Sequence, residues 1–167
     1  MARLPILVYP DPRLREVAHP VERVDEDLQA FIDALLETMY DAQGVGLAAT
    51  QVGDRRRVTV LDISEEHDEP QVYINPEITG RSGTRRGEEG CLSIPGYYEE
   101  VERAAEVTYR ALDRQGSVVE GRAEGMLAVV LQHEIDHLDG RLFIDYLSEL
   151  KRKRVRKRME KLERQSG

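Results

Sequence analysis

Apolar side chains recur with helical spacing between Asp25 and Tyr40. They occupy positions i, i+3, i+4, i+7, i+8 and i+11, which places them on one face of an α-helix. The members of this stripe are Leu28, Phe31, Ile32, Leu35, Leu36 and Met39. Because Asp25 is a preferred N-cap residue, the pattern predicts an amphipathic helix over residues 25–40.

Segments rich in Val, Ile, Tyr and Thr, bounded by Gly, Pro or Asp, are typical of β-strands separated by turns. They cover residues 57–63, 71–75, 101–112 and 117–123. These segments follow one another with no helical pattern between them. We therefore expect the strands to form antiparallel sheet.

Two more helices are predicted towards the end of the chain. Residues 125–138 begin with an apolar run, and Gly140 is placed to end this helix in a left-handed conformation. From Leu147 onward the composition is helical again. Because helices and strands are segregated along the chain, the sequence predicts an α+β fold and not a doubly wound parallel sheet.

The composition fits a single folded domain of 167 residues, with 40% hydrophobic and 34% charged residues. No run approaches the roughly 18 uncharged apolar residues of a membrane helix. The apolar start reaches Asp11 too early for a signal peptide. The single cysteine excludes an internal disulfide. We therefore expect a soluble, cytoplasmic protein.

Charge is distributed unevenly along the chain. The formal net charge is -8, yet residues 151–167 hold nine Lys or Arg and two Asp or Glu, a net of +7. The remaining residues hold fifteen basic and thirty acidic groups, a net of -15. A basic tail on an acidic body indicates a nucleic-acid or ribonucleoprotein partner. The alternative is a solvated helix whose charges only keep the chain soluble.

Residues 133–137 form an H-E-x-x-H motif inside the second predicted helix. Residues i and i+4 share a helix face, so both imidazoles can bind one metal ion. Glu134 lies about 100° around the helix from His133 and can act on a water without binding the metal. The alternative is a pair of surface histidines beside a solvated glutamate. His19 and His67 have no comparable context.

A tetrahedral site with an open position needs a third protein ligand. One H-E-x-x-H class has a glutamate roughly 20 residues further on. Here that position is Lys157, with Glu160 and Glu163 nearby in the basic tail. Cys91 is the better candidate, because it is the only thiol, follows a glycine and would be deprotonated by a metal ion. A single cysteine can otherwise be a small buried apolar residue.

Three segments together resemble the motifs of the peptide deformylase family. They read GVGLAATQ at residues 44–51, EGCLS at 89–93 and QHEIDH at 132–137, in the order and at the spacing of that family. The similarity extends over nearly the whole chain. It implies antiparallel sheets around a central metal-binding helix. It also implies an enzyme that removes the formyl group from N-formylmethionyl nascent peptides and releases formate.

The resemblance also implies roles for individual residues. The implied metal ligands are Cys91, His133 and His137. Glu134 resembles the general acid/base, and the Gln51 side chain and the Leu92 backbone N–H resemble the donors that stabilise the oxyanion. The family implies one Fe2+ in the cell, with Zn2+, Ni2+ or Co2+ able to occupy the site. The ligand set alone, a cysteine and two histidines with an open position, indicates zinc first, and the sequence does not decide between these metals.

Glycines beside these motifs would let a peptide backbone approach and pair as an added strand. The predicted substrate-binding residues are Gly44, Val45, Gly46, Glu89, Gly90, Met126, Val129 and Val130. The last three are candidates for a methionine pocket, with ordinary core positions as the alternative. Tyr98 stands near a position where some relatives carry a basic residue that can contact the peptide. We therefore expect an aromatic and acidic rim.

We expect a catalytic domain over residues 1–150 and a basic helical tail of the same domain over residues 151–167. The tail is predicted to dock the enzyme on the ribosome, and the enzyme to be a monomer without membrane contact. Two other classes compete with this hypothesis. A zinc endopeptidase would cleave internal peptide bonds, and a ribosome-binding module with a structural metal would need a fourth protein ligand.

Overall fold

The computed structural model describes residues 3–166, and in that range it contains three α-helices and seven β-strands. The helices are α1 (Glu26–Asp41), α2 (Gly125–Leu138) and α3 (Glu149–Ser166). The strands are β1 (Gly46–Ala48), β2 (Val58–Leu61), β3 (Gln71–Ser82), β4 (Arg85–Cys91), β5 (Ile94–Arg103), β6 (Glu106–Leu112) and β7 (Val118–Glu124). Short 3-10 helices cover Pro12–Arg15, Ala49–Val52 and Phe143–Tyr146.

All neighbouring strands pair in antiparallel fashion, which confirms the predicted α+β class. The larger sheet has the strand order β1-β2-β3-β6-β7, and β4 and β5 form a separate two-stranded sheet. Helix α2 packs against several strands of the larger sheet. This arrangement puts the helix with the H-E-x-x-H motif between the two sheets.

Helix α1 begins and ends within one residue of its predicted bounds. The Asp25 carboxylate caps it by accepting a 2.9 Å hydrogen bond from the backbone N–H of Leu28. The predicted stripe packs into one cluster with Val58 and Val60 of β2, and Leu36 lies partly buried at its edge. The helix thereby supports the sheet edge at β1.

Helix α2 is buried on all sides from Val130 to Leu138. Its apolar residues pack against the larger sheet, whereas its buried polar residues require partners within the protein. Gly140 follows the helix with φ +76°, as predicted. A Cβ atom at Gly140 would lie 2.5 Å from the backbone oxygen of Arg15, so the position requires glycine.

The predicted continuous strand over residues 101–112 is wrong, because the chain changes sheets within it. Strand β5 ends at Arg103, and β6 begins at Glu106 in the larger sheet. At the break, Ala104 N–H donates to the Gln132 Oε1 atom (3.2 Å), and Gln132 Nε2 donates to the Ala104 carbonyl (2.9 Å). These bonds to α2 replace the ladder bonds that would have continued the strand.

Strand β4 was not predicted, and β3 extends seven residues beyond its predicted end at Asn75. The charged and glycine-rich residues of β4 are disfavoured in strands. Pairing with β5 over six residue pairs gives β4 its extended conformation. Strand β3 continues through Pro76 with shifts of register, because it borders β6 there.

Helix α3, predicted from residue 147 onward, belongs to the core on one face. Val155 and Met159 are fully or almost fully buried in a cluster with Phe143 and Leu147. The other faces of the helix present mainly Lys and Arg to solvent. None of the helices within residues 3–166 is long and apolar enough to cross a membrane.

Candidate active site

Three ligand atoms from two elements converge at one point. Cys91 stands at the end of β4, and His133 and His137 lie one turn apart on α2. The Cys91 Sγ atom is 3.3 Å from His137 Nε2, which is 3.2 Å from His133 Nε2. All three ligand atoms lie within 4.8 Å of one another. The structure therefore brings together the three residues predicted to bind a metal.

The geometry of this triad fits a tetrahedral metal ion. Metal–nitrogen bonds of about 2.0–2.1 Å and metal–sulfur bonds of about 2.3 Å imply N···N and S···N separations of roughly 3.3 and 3.5 Å. The observed separations are close to these values. In the described part of the chain no fourth Cys, His, Asp or Glu joins the cluster. Three protein ligands with an open position are typical of a catalytic site.

A buried ionic network orients His133. Its Nδ1 atom donates to Glu89 Oε1 over 2.9 Å, so that its Nε2 lone pair faces the other ligands. The Arg103 guanidinium binds both carboxylate oxygens of Glu89 at 2.9 Å and Asp136 Oδ2 at 2.6 Å. The Tyr146 hydroxyl also donates to Asp136. Burial by itself would raise the pKa of Glu89, but hydrogen bonds from Arg103 and His133 lower it to about 2.

An aromatic contact supports the His133 ring, and a hydrogen bond holds the backbone at His137. The Phe143 ring stacks on His133 with a centroid separation of 5.9 Å and an interplanar angle of 24°. The Phe143 ring also stacks against Tyr97. Thr50 donates a 2.9 Å hydrogen bond to the backbone carbonyl of His137. The ligand helix is therefore fixed against both the 3-10 helix after β1 and the segment before α3.

Glu134 lies beside the triad without joining it. Its side chain is buried, and its Oε1 atom has no hydrogen-bond partner within residues 3–166. Burial raises the pKa of Glu134 to about 7. A buried carboxylate with a free oxygen and a pKa near neutrality has the properties of a general acid/base.

Gln51 faces the cysteine from the opposite wall. Its Oε1 atom accepts from Ala48 N–H (3.0 Å), which leaves the amide nitrogen pointing towards the site. That nitrogen donates to Ser93 Oγ over 3.0 Å and lies 3.5 Å from Cys91 Sγ. The assignment of the amide follows from these partners. Gln51 thus presents N–H donors next to the predicted metal position.

A cleft of about 680 Å³ opens above the triad. Its walls include all eight predicted substrate-binding residues, together with Gln51, Leu92 and Glu134. Val101 and Tyr98 also line the cleft. Val129 and Val130 line the cleft together with His133, and Val130 also packs in the apolar cluster of the larger sheet. Their role in a methionine pocket stays a prediction.

The structure explains why the motif positions 44, 46 and 90 are glycine, which the sequence alone did not show. A Cβ atom at Gly44 would lie 2.5 Å from Leu92 Cδ1, and one at Gly46 would lie 2.6 Å from Glu134 Oε2. At Gly90 it would collide with the Tyr98 ring. These positions are glycine because side chains of the site itself fill the space, whatever else binds there.

Sequence reasoning missed the residues that support the site from behind. Arg103, Asp136 and Ser93 were not singled out, and the carboxylate of Glu89 is directed at Arg103 and His133 instead of at the cleft. Asp136 directly precedes the ligand His137 in the motif and lies on the same helix. This position could have indicated a supporting role for Asp136. Arg103 gave no signal, since a charged residue in a predicted strand is usually exposed. Neither His19 nor His67 approaches the triad.

The chain is similar to known peptide deformylases over its whole length. Residues 3–153 match the sequence profile of the polypeptide deformylase family. A peptide deformylase of Alkalilimnicola ehrlichii is 65% identical over 166 residues, covering 99% of this chain and 93% of that protein. One of Pseudomonas aeruginosa is 55% identical over 168 residues and covers 100% of both chains.

Solved structures agree with this similarity. The crystal structure of a peptide deformylase from Legionella pneumophila matches with a TM-score of 0.93 at 51% identity, covering 99% of this chain and 98% of that chain. The peptide deformylase of Ehrlichia chaffeensis in complex with actinonin matches with a TM-score of 0.94 at 40% identity, covering 98% and 99%. The resemblance of the three sequence segments is thereby confirmed, and this chain belongs to the peptide deformylase family.

Proposed function

We propose that this chain hydrolyses the N-formyl group of N-formylmethionyl nascent peptides and releases formate during protein synthesis. The observation that carries the proposal is an open set of three metal ligands beside an unpaired, buried carboxylate in one cleft. The reaction is assigned to this arrangement because the chain belongs to the peptide deformylase family.

Cys91, His133 and His137 would hold one divalent ion. Such an ion would act as a Lewis acid and would lower the pKa of a bound water towards neutrality. We propose Fe2+ in the cell, with Zn2+, Ni2+ or Co2+ able to replace it, on the strength of the family resemblance. The thiolate and two imidazoles suit each of these borderline ions.

Glu134 and Gln51 perform the remaining chemistry. Glu134 accepts a proton from the attacking water and returns it to the departing amine nitrogen when the C–N bond breaks. The Gln51 side chain and the Leu92 backbone N–H donate hydrogen bonds to the oxyanion of the tetrahedral intermediate. The peptide lies along Gly44–Gly46 and Gly90, and Met126, Val129 and Val130 form the pocket for its methionine side chain.

Formate release, measured together with metal content, tests this proposal. Glu134→Gln should retain the metal and lose about 10²–10⁴-fold in kcat, because it keeps the shape of the side chain and removes the base. His133→Ala should lose both metal and activity, whereas His67→Ala, far from the triad, serves as the matched control. Cleavage of internal peptide bonds without formate release would favour a zinc endopeptidase and contradict the proposal.

Cys91→Ser addresses the metal directly. A serine hydroxyl ionises far less readily than a thiol, so metal binding should weaken. If Fe2+ is the native ion, activity prepared without oxygen should decay in air, and Zn2+ loading should slow that decay. Full metal content in Cys91→Ser would place the third ligand elsewhere.

We also propose that residues 1–150 form the catalytic part of the domain and that the basic tail over residues 151–167 docks on the ribosome. The support is the net charge of +7 and the exposure of most Lys and Arg side chains on α3. We further propose a monomeric enzyme that acts in the cytoplasm, where nascent chains are made.

Charge reversal tests the docking better than deletion, because removal of α3 would uncover Val155 and Met159. Lys153, Lys157 and Lys161 are exposed. Changing all three to Glu should abolish co-sedimentation with ribosomes at low salt and leave turnover of a short formyl peptide intact. The matched control changes the same residues to Arg. Unchanged co-sedimentation of the Glu variant would contradict the docking.

A further inference from the structure

A second polar cavity, which we call the rear pocket, lies beside the metal helix and is separate from the active-site cleft. Its volume is about 410 Å³. Buried polar side chains form its floor, namely Arg103, Gln132 and Asp136. Exposed side chains from β3, β4, β5 and the segment after α2 form its rim, among them Arg81, Thr84, Glu102, Arg141 and Tyr146. The proposed reaction uses none of these rim residues.

Two cations at the rim of the rear pocket lack an anionic partner. Within residues 3–166, the guanidinium groups of Arg81 and Arg141 make no hydrogen bond and no ion pair. Arg81 belongs to β3, whereas Arg141 follows α2 and is held there by a 2.8 Å hydrogen bond from its backbone N–H to the Asp136 carbonyl. Because both line one cavity, their positive charges add within it.

Arg103 provides unused donors at the floor. A guanidinium has five N–H groups. Three of those of Arg103 bind Glu89 and Asp136. The other two, one on each terminal nitrogen, have no partner in the described part of the chain. Buried donors without a partner cost free energy, so a ligand oxygen that accepted from them would bind favourably.

Electrostatic effects on Tyr146 place the floor and the rim cations close together. Burial and the Asp136 carboxylate raise the pKa of the Tyr146 hydroxyl, and the charges of Arg103 and Arg141 oppose that rise. The Arg103 guanidinium also lies over the Tyr146 ring, 4.7 Å from its centroid. Two cations therefore act on the same hydroxyl at one wall of the pocket.

Glu102 is the acidic residue of the rim. It stands opposite Arg86 in the β4–β5 hairpin, but Arg86 binds Glu100 instead. The pocket is thus lined by three arginines and by two carboxylates, those of Glu102 and Asp136, which leaves a net charge of +1. The charge favours an anion, and Glu102 should weaken the binding of that anion.

We propose that the rear pocket binds the phosphate of a small phosphomonoester, held by Arg81 and Arg141 at the rim and by Arg103 at the floor. Guanidinium groups bind phosphate oxygens through paired, charge-assisted hydrogen bonds. A monoester carries about -1.5 to -2 charges at pH 7, which matches two rim cations better than a singly charged phosphodiester does. The volume lies in the usual range for small-molecule sites.

The rear pocket and the active-site cleft share one residue. Arg103 lines both cavities. It also binds Glu89, whose carboxylate orients the His133 ring. A phosphate in the rear pocket would therefore lie within two contacts of a metal ligand. The inference itself is independent of the proposed reaction, because it concerns a different cavity and is tested by binding.

Titration calorimetry on the full-length, metal-loaded enzyme tests the rear pocket at constant ionic strength set with chloride. The probes are inorganic phosphate, ribose 5-phosphate and an RNA tetramer without terminal phosphates. We expect one molecule of phosphate or of ribose 5-phosphate to bind per chain. The RNA should not displace ribose 5-phosphate, since each of its phosphates has a single charge. Displacement by the RNA at similar concentration would overturn the choice of a monoester.

Variants assign the binding to the pocket. Arg81→Gln and Arg141→Gln should each weaken it at least about 10-fold, because each removes paired hydrogen bonds to the phosphate. Glu102→Gln should tighten it about 2- to 5-fold, since a like charge is removed. Arg23→Gln, at an exposed position outside the pocket, is the matched control and should bind like the wild type. Thermal unfolding without ligand checks that all four variants fold.

Phosphate on the active-site metal ion would give a different result. Such binding would compete with the formyl peptide and would be unchanged in both rim variants. A single site whose affinity is the same in the wild type, Arg81→Gln and Arg141→Gln would therefore overturn the rear pocket. Absence of any heat beyond that of chloride would overturn it as well. Neither result bears on formate release, which tests the deformylase reaction separately.

Discussion

A Cβ atom placed on Gly46 would lie 2.6 Å from Oε2 of Glu134, so the first residue of β1 and the buried carboxylate of α2 touch across the cleft. The Gly46→Ala variant should therefore displace the Glu134 side chain. We expect kcat to fall at least about 10-fold with metal content unchanged, because proton transfer depends on geometry within hydrogen-bond reach. Steady-state formate release with metal analysis measures this. Gly87→Ala, with no neighbouring atom within 4 Å, is the matched control and should retain activity.

Glu89→Gln should weaken metal binding. The carboxylate fixes the His133 ring through a 2.9 Å hydrogen bond and balances Arg103. Changes of such supporting residues typically cost 10–100-fold in metal affinity or activity, and we expect a loss of about that size. Competition with a chelator measures it. Glu99→Gln, at the opposite position on β5, is the control and should bind the metal normally.

Arg103→Met should destabilise the whole domain. Arg103 has a side chain only 4% exposed and binds two carboxylates, Glu89 and Asp136. Removing one partner of a buried ionic group typically costs about 3–5 kcal/mol, because the remaining charges are left without compensation. Denaturant unfolding measures the free energy of unfolding. A loss under 1 kcal/mol would show that water or another cation replaces the guanidinium.

Asp62 should make stability depend on pH in the acid range. Burial would raise its pKa, but hydrogen bonds from Ser64, Tyr40 and the backbone N–H groups of Ser64 and Glu69 lower it to about 2. A group with a lowered pKa binds fewer protons in the folded state. Its stabilisation is therefore present above about pH 4 and is lost as the pH falls towards 2.

Unfolding titrations between pH 5 and pH 2 compare the wild type with Asp62→Asn. The unfolding free energy of the wild type should fall more steeply with decreasing pH, since the amide has no proton to take up. Parallel curves for the two proteins would contradict this assignment.

Met159→Ala should show that α3 contributes to the core. The Met159 side chain is 2% exposed and packs in the cluster that contains Phe143 and Val155. Truncating a buried Met typically costs about 2–5 kcal/mol, and thermal unfolding should show a correspondingly lower midpoint. Lys157→Ala, two residues earlier and exposed, is the control and should unfold like the wild type.

The sequence was most informative where one local pattern determined the structure. The stripe from Leu28 to Met39 defined α1, and the H-E-x-x-H spacing placed two imidazoles on one face of α2. The position of Cys91 beside them depends on the pairing of two strands that are distant from the motif in sequence. In advance, Cys91 was the better candidate for the third ligand because it is the only thiol, and the likeness of all three segments to a known family supported that assignment.

Strand β4 and the end of β5 could not be predicted from local sequence patterns either, because both depend on contacts between distant segments. The residues of β4 have low strand propensity, and they are extended because β5 pairs with them. Strand β5 ends where Arg103 turns inward to Glu89 and Asp136. Such an ionic contact depends on tertiary packing and leaves no periodic pattern of residues in the sequence.

The division of the protein into two sheets has a consequence for thermal inactivation. Cys91 and Leu92 belong to the hairpin of β4 and β5 or its turn, whereas Gln51 follows β1 of the larger sheet. Arg103, through Asp136, and Glu89, through His133, fasten this hairpin to α2. If the hairpin opens locally, the thiolate and one oxyanion donor leave together while the larger sheet stays folded. Catalysis would then cease, reversibly, at a temperature below that of global melting.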